Sequence, residues 1–239
     1  MNEVIRQLAA RKSVRAFEDR DIPGEVRAAI LEAAAQAPTA GNQQLYTILD
    51  VTDPQLKARL AETCDHQPFI ATAPMVLIFL ADVCKWLDAY REAGCEPRAP
   101  GAGDVMLAAS DAAIAAQNAV TAAWSLGVGS CYIGDVMERR EEHREMLNLP
   151  PHVFPAAMLV LGYPTEQQAR RPKPERFNMA DIVCENVYRR KDGPALRRMF
   201  TGRCGARGYD AWMDVFCRRK YDSDFSREMT RSVEAYLRD

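Results

Sequence analysis

Residues 74–81 read PMVLIFLA, and this stretch decides the fold more than any other part of the chain. It is apolar without alternation, which is typical of a strand buried on both faces of a sheet. Shorter strands are predicted at residues 46–51, 128–133 and 156–162. Because a sheet buried on both sides needs cover on both sides, we expect helices on its two faces.

Helical patterns lie between and after these strands. Asn2 can cap a first helix with Val4, Ile5 and Leu8 on its apolar face. Residues 104–126 are Ala-rich and apolar nearly all round, which predicts a helix in a core or between subunits. The other predicted helices start after Pro23 and at Asp53-Pro54, and cover residues 83–91, 138–147, 179–188, 209–219 and 223–237.

The composition limits the class of protein. With 239 residues and a formal net charge of −2, nothing global favours binding to nucleic acid or to a membrane surface. No apolar run reaches the roughly 20 residues of a membrane-spanning helix, and the charged start does not resemble a signal peptide. Seven scattered cysteines without a C-x-x-C pair predict reduced thiols. We therefore expect a cytoplasmic protein whose ligands are small molecules.

Several common site motifs are absent from the sequence. Gly127-x-Gly129 lacks the third glycine of a dinucleotide fingerprint, and neither a P-loop nor a nucleophile elbow occurs. Cys64-x-His66 is the one metal-like spacing, but the second pair of ligands that a zinc site needs is missing. We expect no metal.

Arg11, Ser13 and Arg15 alternate along the chain. In an extended segment these three side chains point to one side, where two guanidinium groups and a hydroxyl suit a phosphate. Lys173 and Arg176 form a second basic cluster far along the chain. Taken alone, each cluster is more typical of a solvated charged surface than of a binding site.

The segments between these clusters identify the chain more specifically. It resembles the nitroreductase family of FMN-dependent oxidoreductases, particularly the longer, NADPH-preferring group of flavin reductases and nitroreductases. The resemblance rests on residues 11–17 (RKSVRAF), 37–44 (APTAGNQQ), Gln67, 127–134 (GVGSCYIG), and 161–164 (LGYP) followed by Lys173-Pro174.

This resemblance implies an α+β, nitroreductase-like fold. The central sheet is expected to be mixed, mainly antiparallel, with helices on both faces and a C-terminal extension wrapping the dimer. Residues 1–177 would form the FMN-binding domain. Residues 178–239 would form a helical extension packed on the same domain or on the partner subunit.

The resemblance also assigns roles to the first basic motif. Arg11, Lys12, Ser13 and Arg15 match the family's first FMN-binding motif, in which Arg11 and Ser13 would hold the phosphate. Arg15 would reach the pyrimidine side of the flavin. Reduction places negative charge there, so Arg15 would support the reduced ring electrostatically.

Later segments supply the rest of the implied site. Lys173 matches the family's late phosphate-binding lysine. The family's Lys-Pro-Arg is here interrupted by Glu175, so either Arg176 takes over the arginine contact by a one-residue shift or that contact is missing. By the same resemblance, Pro38, Thr39 and Asn42 lie across the flavin of the second subunit, Gln67 hydrogen-bonds the ring edge, and Gly129 and Ser130 pack against its buried face.

The implied activity is that of a homodimer with shared flavin sites. FMN would be bound, NADPH or NADH would be the electron donor, and nitroaromatics, quinones or free flavins would be reduced by a ping-pong hydride mechanism. The alternatives are reductive dehalogenation or oxygen-dependent flavin chemistry on the same fold, or a non-catalytic flavin-binding dimer. The helix over residues 104–126 is expected in the dimer interface, with Ala116 at the contact.

Overall fold

A computed structural model describes residues 2–238. Its strands are β1 (Tyr46–Asp50), β2 (Met75–Asp82), β3 (Gly129–Ile133) and β4 (Val153–Gly162). Within the described residues they form one four-stranded sheet in the spatial order β1-β2-β4-β3. Every pairing of neighbouring strands is antiparallel, so the predicted α+β class is confirmed.

Helices surround the sheet and fill most of the remaining chain. In the described residues they are α1 (Glu3–Ala10), α2 (Gly24–Ala35), α3 (Pro54–Thr63), α4 (Pro68–Ala71), α5 (Cys84–Glu92), α6 (Ala102–Ser125), α7 (Arg140–Met146), α8 (Glu166–Arg170), α9 (Met179–Ile182), α10 (Gly193–Cys204), α11 (Tyr209–Lys220) and α12 (Asp224–Tyr236).

The sheet is buried on both faces, as the uniform apolar character of β2 predicted. Leu77 and Phe79 face a core that includes residues of α2 and α6. Val76 and Ile78 point the opposite way, into a second core that includes residues of α3 and α4. Because successive strand side chains alternate between faces, both sets of positions must be apolar.

Helix α6 has one buried and one exposed apolar side. Ala112 and Ala116 are fully buried in the core that contains β2 and β4. Met106 and Ile114 are 59% and 41% exposed on the other side of the helix. The expectation that Ala116 lies at a subunit contact is therefore wrong, because its methyl group belongs to the core of its own chain. Any interface on α6 must use the side that carries Ile114.

Helix α1 begins as its sequence predicted. The Asn2 side chain accepts a hydrogen bond from the Ile5 N–H at 3.0 Å, which satisfies one of the free donors of the first turn. The described part of the chain leaves the apolar face of this helix about half exposed. Its three apolar side chains are 59%, 50% and 47% exposed at Val4, Ile5 and Leu8.

The chain divides into two compact units. The first unit runs through Lys173 and resumes at Glu228, so it includes most of α12; there Tyr236 packs edge-on against Phe154 with ring centroids 5.0 Å apart. The second unit is Pro174–Arg227. It contains a cluster of aromatic rings, formed by Phe177, Phe200, Tyr209, Trp212 and Phe216. The domain boundary expected after residue 177 stays a prediction.

Candidate active site

The segment that follows α1 lies along β3. Ser13 forms an isolated parallel bridge with Ser130, whose carbonyl accepts a hydrogen bond from the Val14 N–H at 2.9 Å. The Val14 side chain is fully buried against Gly129. A Cβ added to Gly129 would lie only 2.6 Å from Val14 Cγ2. Gly129 is therefore required by the close approach of this segment, and not by an unusual backbone conformation.

The polar side chains of the segment lie near the Cys131 thiol. Burial raises the pKa of Cys131, while the nearby Arg15, Ser13 and Arg11 act in the opposite direction. Burial also raises the pKa of Tyr132 to about 12, and Arg11 again opposes it. Arg11, Ser13 and Arg15 thus converge beside β3. Two guanidinium groups and a hydroxyl at one point make a site suited to an anion.

Two lysines hold the backbone around this cluster. Lys173 Nζ donates to the carbonyls of Leu8 and Ala9 at 3.2 and 2.7 Å, at the last turn of α1. A cation at a helix C-terminus is favourable because carbonyl groups without helical partners collect there. This contact brings Lys173 to the helix end from which Arg11 follows. Lys12 Nζ instead donates to the backbone carbonyls of Ala169 and Arg171.

Gln67 lies beyond the C-terminal end of β3. Its Nε2 donates to Asp135 Oδ2 and to the Cys64 carbonyl, each at 2.8 Å. Asp135 follows closely on Ile133, the last residue of β3. The strand spans roughly 14 Å between its end residues at the rise of an antiparallel strand. The basic cluster lies beside Ser130 and Cys131, and Gln67 lies beyond Ile133, so both adjoin this edge strand.

Asp111 holds the loop that carries Pro38, Thr39 and Asn42. This carboxylate, on α6, is 2% exposed. Its Oδ1 accepts from the Ala40 N–H at 3.0 Å, and its Oδ2 accepts from the Leu45 N–H at 3.2 Å. Hydrogen bonds from backbone donors to a charged acceptor are among the stronger ones in proteins. Asp111 thereby fixes both ends of the segment from residue 40 to residue 45.

Two further contacts shape the same loop. The Trp86 indole Nε1 donates to the Gln43 carbonyl at 2.7 Å. The Thr39 hydroxyl accepts from the Gln44 N–H at 3.1 Å. Asn42 has a φ of 55°, in the left-handed region that asparagine tolerates better than most residues. The loop is thus fixed in shape while Pro38 and Asn42 stay exposed.

This loop and the basic cluster lie at opposite corners of the sheet. Tyr46, which starts β1, is in register with Ala81 on β2, and Ala81 with Phe154 on β4. Gly129, which starts β3, is in register with Gly162 at the far end of β4. The length of β4 and three strand spacings separate these two corners by roughly 30 Å.

Sequence patterns did not identify three acidic residues around the site. Asp111 had a usable signal, since it is an acid on the buried side of an Ala-rich helix. Asp135 and Glu138 lie in a loop after β3, where nothing in the sequence marks them. Glu138 is 8% exposed, and its Oε1 has no hydrogen-bond partner among the described residues.

The remaining predicted features are placed as follows. Arg176 lies in the second unit, whereas Lys173 belongs to the first. All seven cysteines are free. No group of three or more His, Cys, Asp or Glu side chains within residues 2–238 is arranged to hold a metal ion. In the same range, no helix combines the length and the apolar character needed to cross a bilayer.

The described residues form an α+β fold with a group of basic side chains beside the edge strand β3. The nitroreductase family model matches residues 8–163 of this chain. The chain belongs to the nitroreductase family. The resemblance seen in its sequence segments and the nitroreductase-like fold are thereby confirmed.

Similar proteins span nearly the whole chain. An FMN reductase [NAD(P)H] of Bacillus subtilis is 31% identical over 99% of this chain and 91% of the relative. An oxygen-insensitive NADPH nitroreductase of Salmonella typhimurium is 32% identical over 83% of this chain and 80% of the relative. Among solved structures, NfrA2 of B. megaterium superposes with a TM-score of 0.84 at 28% identity, covering 99% of this chain and 98% of the other.

Proposed function

We propose that this protein reduces small electrophilic acceptors, namely nitroaromatics, quinones or free flavins, with electrons from NADPH or NADH. It is an NAD(P)H-dependent flavoprotein oxidoreductase of the nitroreductase family, and its cofactor is FMN. The activities named for the B. subtilis and S. typhimurium relatives support this choice of acceptors.

One observation carries the proposal. Arg11, Ser13 and Arg15 lie beside β3 around Ser130 and Cys131, and Gln67 lies beyond the C-terminal end of the strand. FMN is elongated and has a phosphate at one end, so this arrangement fits the cofactor. In our proposal Arg11, Ser13 and Lys173 bind the phosphate, whose charge of nearly two needs more than one cation.

The other residues of the segment have different tasks. FMN, when bound, supplies the hydride-accepting and hydride-donating chemistry, so no side-chain general base is required. We assign Arg15 to the pyrimidine side, where its positive charge would favour the reduced, negatively charged ring. Lys12, engaged with Ala169 and Arg171, would position the motif and would contact the cofactor only if those bonds exchange. Gly129 and Ser130 would pack against the buried face of the ring.

The sheet geometry supports a homodimer with shared sites. Pro38, Thr39 and Asn42 lie on a fixed, exposed loop at the corner of the sheet opposite the basic cluster. That distance is too great for the loop to cover a ligand bound by Arg11 of the same chain. We therefore propose that each loop covers the flavin held by the partner subunit.

Two kinetic and cellular features complete the proposal. A flavin covered on one face by β3 leaves one face for both donor and acceptor, so the two would bind in turn with ping-pong kinetics. The free cysteines are in keeping with a reducing compartment, and we place the protein in the cytoplasm.

The test is an absorption spectrum of the purified protein before and after anaerobic NADPH. We expect oxidised FMN absorbance that NADPH bleaches, and that a nitroaromatic or a quinone restores under the same conditions. Restoration only by a halogenated aromatic or by oxygen would favour dehalogenation or oxygen-dependent chemistry. Bound FMN that NADPH does not bleach would favour a non-catalytic flavin-binding dimer.

A further inference from the structure

Gln67 is held in place by a loop rather than by its own helix. Besides the Cys64 carbonyl, the acceptor for its Nε2 is Asp135 Oδ2, at 2.8 Å, in the short 3₁₀ turn Asp135–Met137. The backbone on the Gln67 side is constrained as well, because the preceding residues Asp65 and His66 both have positive φ values, 59° and 50°. The orientation of the Gln67 amide therefore depends on where the loop from Asp135 to Arg139 lies.

Contacts from two helices fix that loop. His143 of α7 bonds to the Val136 carbonyl through Nδ1 at 2.9 Å and to the Thr63 hydroxyl through Nε2 at 2.8 Å. From α12, the Ser232 hydroxyl donates to the Met137 carbonyl at 2.7 Å. The Glu228 carboxylate, also on α12, accepts from the Arg139 N–H at 3.1 Å. Arg139 itself has a φ of 48°, so the loop turns sharply just after Glu138.

In this loop, Glu138 carries a buried carboxyl group, and one of its two oxygens accepts no hydrogen bond from a described residue. Its side chain is 8% exposed, and Oε1 makes no hydrogen bond with any described residue. Burial, then Asp135, Asp65 and Glu228, raise the pKa of Glu138 to about 7, and Arg139 opposes this rise. Cys64 and His143 add no charge, since burial raises the pKa of Cys64 to about 12 and lowers the pKa of His143. The guanidinium of Arg140, two residues along the chain, lies 5.4 Å from the centroid of the Tyr236 ring.

We propose that Glu138 is a positioning residue for the Gln67 end of the flavin site and that it performs this role in its neutral form. A neutral carboxyl leaves Asp135 as the single negative group that receives the Gln67 amide. An ionised Glu138 would repel Asp135, Asp65 and Glu228, and this repulsion would be strong because water screens the charge of a buried carboxylate poorly. Relief of that repulsion requires the loop to move, and Gln67 moves with its acceptor.

The inference rests on the proposed function, because it assumes that Gln67 contacts bound FMN. It predicts that the affinity for FMN falls as Glu138 ionises. The contact at stake is one neutral hydrogen bond, so the loss should be about three- to tenfold. This loss of FMN affinity should be nearly absent at about pH 6 and nearly complete at about pH 8.5, since Glu138 ionises between these two values.

The experiment is a flavin fluorescence titration with FMN at both pH values. The full-length protein is compared with Glu138→Gln, and Glu138→Met serves as a second neutral variant should the amide disturb folding. Exposed Glu141, on α7, provides the matched control Glu141→Gln. The quantity read at each pH is the ratio of the Kd of the wild type to that of the variant, which cancels the titration of the FMN phosphate itself.

We expect this ratio to rise about three- to tenfold between the two pH values for both Glu138 variants and to stay constant for Glu141→Gln. In a Gln67→Ala background the Glu138 substitutions should no longer change the pH dependence of the FMN affinity. If Glu138 had a purely structural role, they would still change it. Superimposable pH profiles for wild type and Glu138→Gln would overturn the inference while leaving FMN binding established. Absence of FMN binding at both pH values would instead overturn the proposed function.

Discussion

Replacing Glu138 by glutamine should stabilise the flavin-free protein at alkaline pH. A carboxyl with its pKa raised from 4.5 to about 7 binds its proton more tightly in the folded than in the unfolded chain. Below the unfolded value both states are protonated, and the group has no effect on stability. As the pH rises towards the folded value, the unfolded chain ionises first, so the folded state loses stability progressively. Above the folded value the full loss is present.

The size of this effect follows from the same pKa. At about 1.4 kcal/mol per pKa unit, the shift corresponds to roughly 3 kcal/mol of lost stability. We expect the free energy of unfolding to be higher for Glu138→Gln than for the wild type at alkaline pH. This advantage of the variant should be roughly 3 kcal/mol larger at about pH 8.5 than at about pH 4.5. The comparison between the two pH values matters, because any steric effect of the amide is the same at both.

Urea unfolding of flavin-free protein, at one fixed protein concentration, measures this difference. Removing FMN is necessary because a ligand that binds the folded state adds its own pH dependence to the apparent stability. The control Glu141→Gln should show no such gain at alkaline pH. A stability difference for Glu138→Gln that does not change between the two pH values would refute the reasoning, since it would mean that Glu138 ionises normally in the folded protein.

Four further substitutions test the site. Arg11→Ala should weaken FMN binding about ten- to a hundredfold in a fluorescence titration, whereas Arg6→Ala in the preceding helix α1 should not; equal affinities of the wild type and Arg11→Ala would contradict the phosphate assignment. Asp111→Asn should lower the free energy of urea unfolding by about 1–3 kcal/mol, because its amide group would face a backbone donor; an unchanged midpoint would argue against the clamp. Gly129→Ala should be destabilised by about 1–3 kcal/mol and should bind FMN less tightly. A Tm equal to that of the wild type would show that the segment carrying Val14 can shift to accommodate the added methyl group. Ile114→Arg should yield a monomer by light scattering, and a persistent dimer would exclude this side of α6 from the interface.

The sheet could be predicted from sequence because its signal is local and strong. Residues 74–81 are apolar at every position, and the structure buries alternate side chains in two different cores. The sequence signal of helix α10 is weaker. Asp192 caps this helix by accepting from the Ala195 N–H at 2.8 Å, and Pro194 lies in its first turn. That start signature was present, but the following residues show no clear apolar periodicity, and the helix was not predicted.

The basic cluster and its supports differ in how far the sequence reveals them. Arg11, Ser13 and Arg15 stand in one short segment, so their convergence needs only an extended backbone. Asp111 acts on backbone groups 66 and 71 residues away along the chain. A single sequence holds no record of such a contact. The fold alone decides that a buried carboxylate meets two free N–H groups.

The exposed apolar surface connects these local features to assembly. Helices α1 and α6 lie in contact in the first unit, and each presents apolar side chains that the described chain does not cover: Val4, Ile5 and Leu8 on one, and Met106 and Ile114 on the other. Apolar surface of this kind on neighbouring helices is typical of a protein interface. The loop fixed by Asp111 and the basic cluster beside β3 lie roughly 30 Å apart within one chain. A second copy docked on these helices would account for both facts, because it would cover the apolar side chains and bring its own loop to the basic cluster.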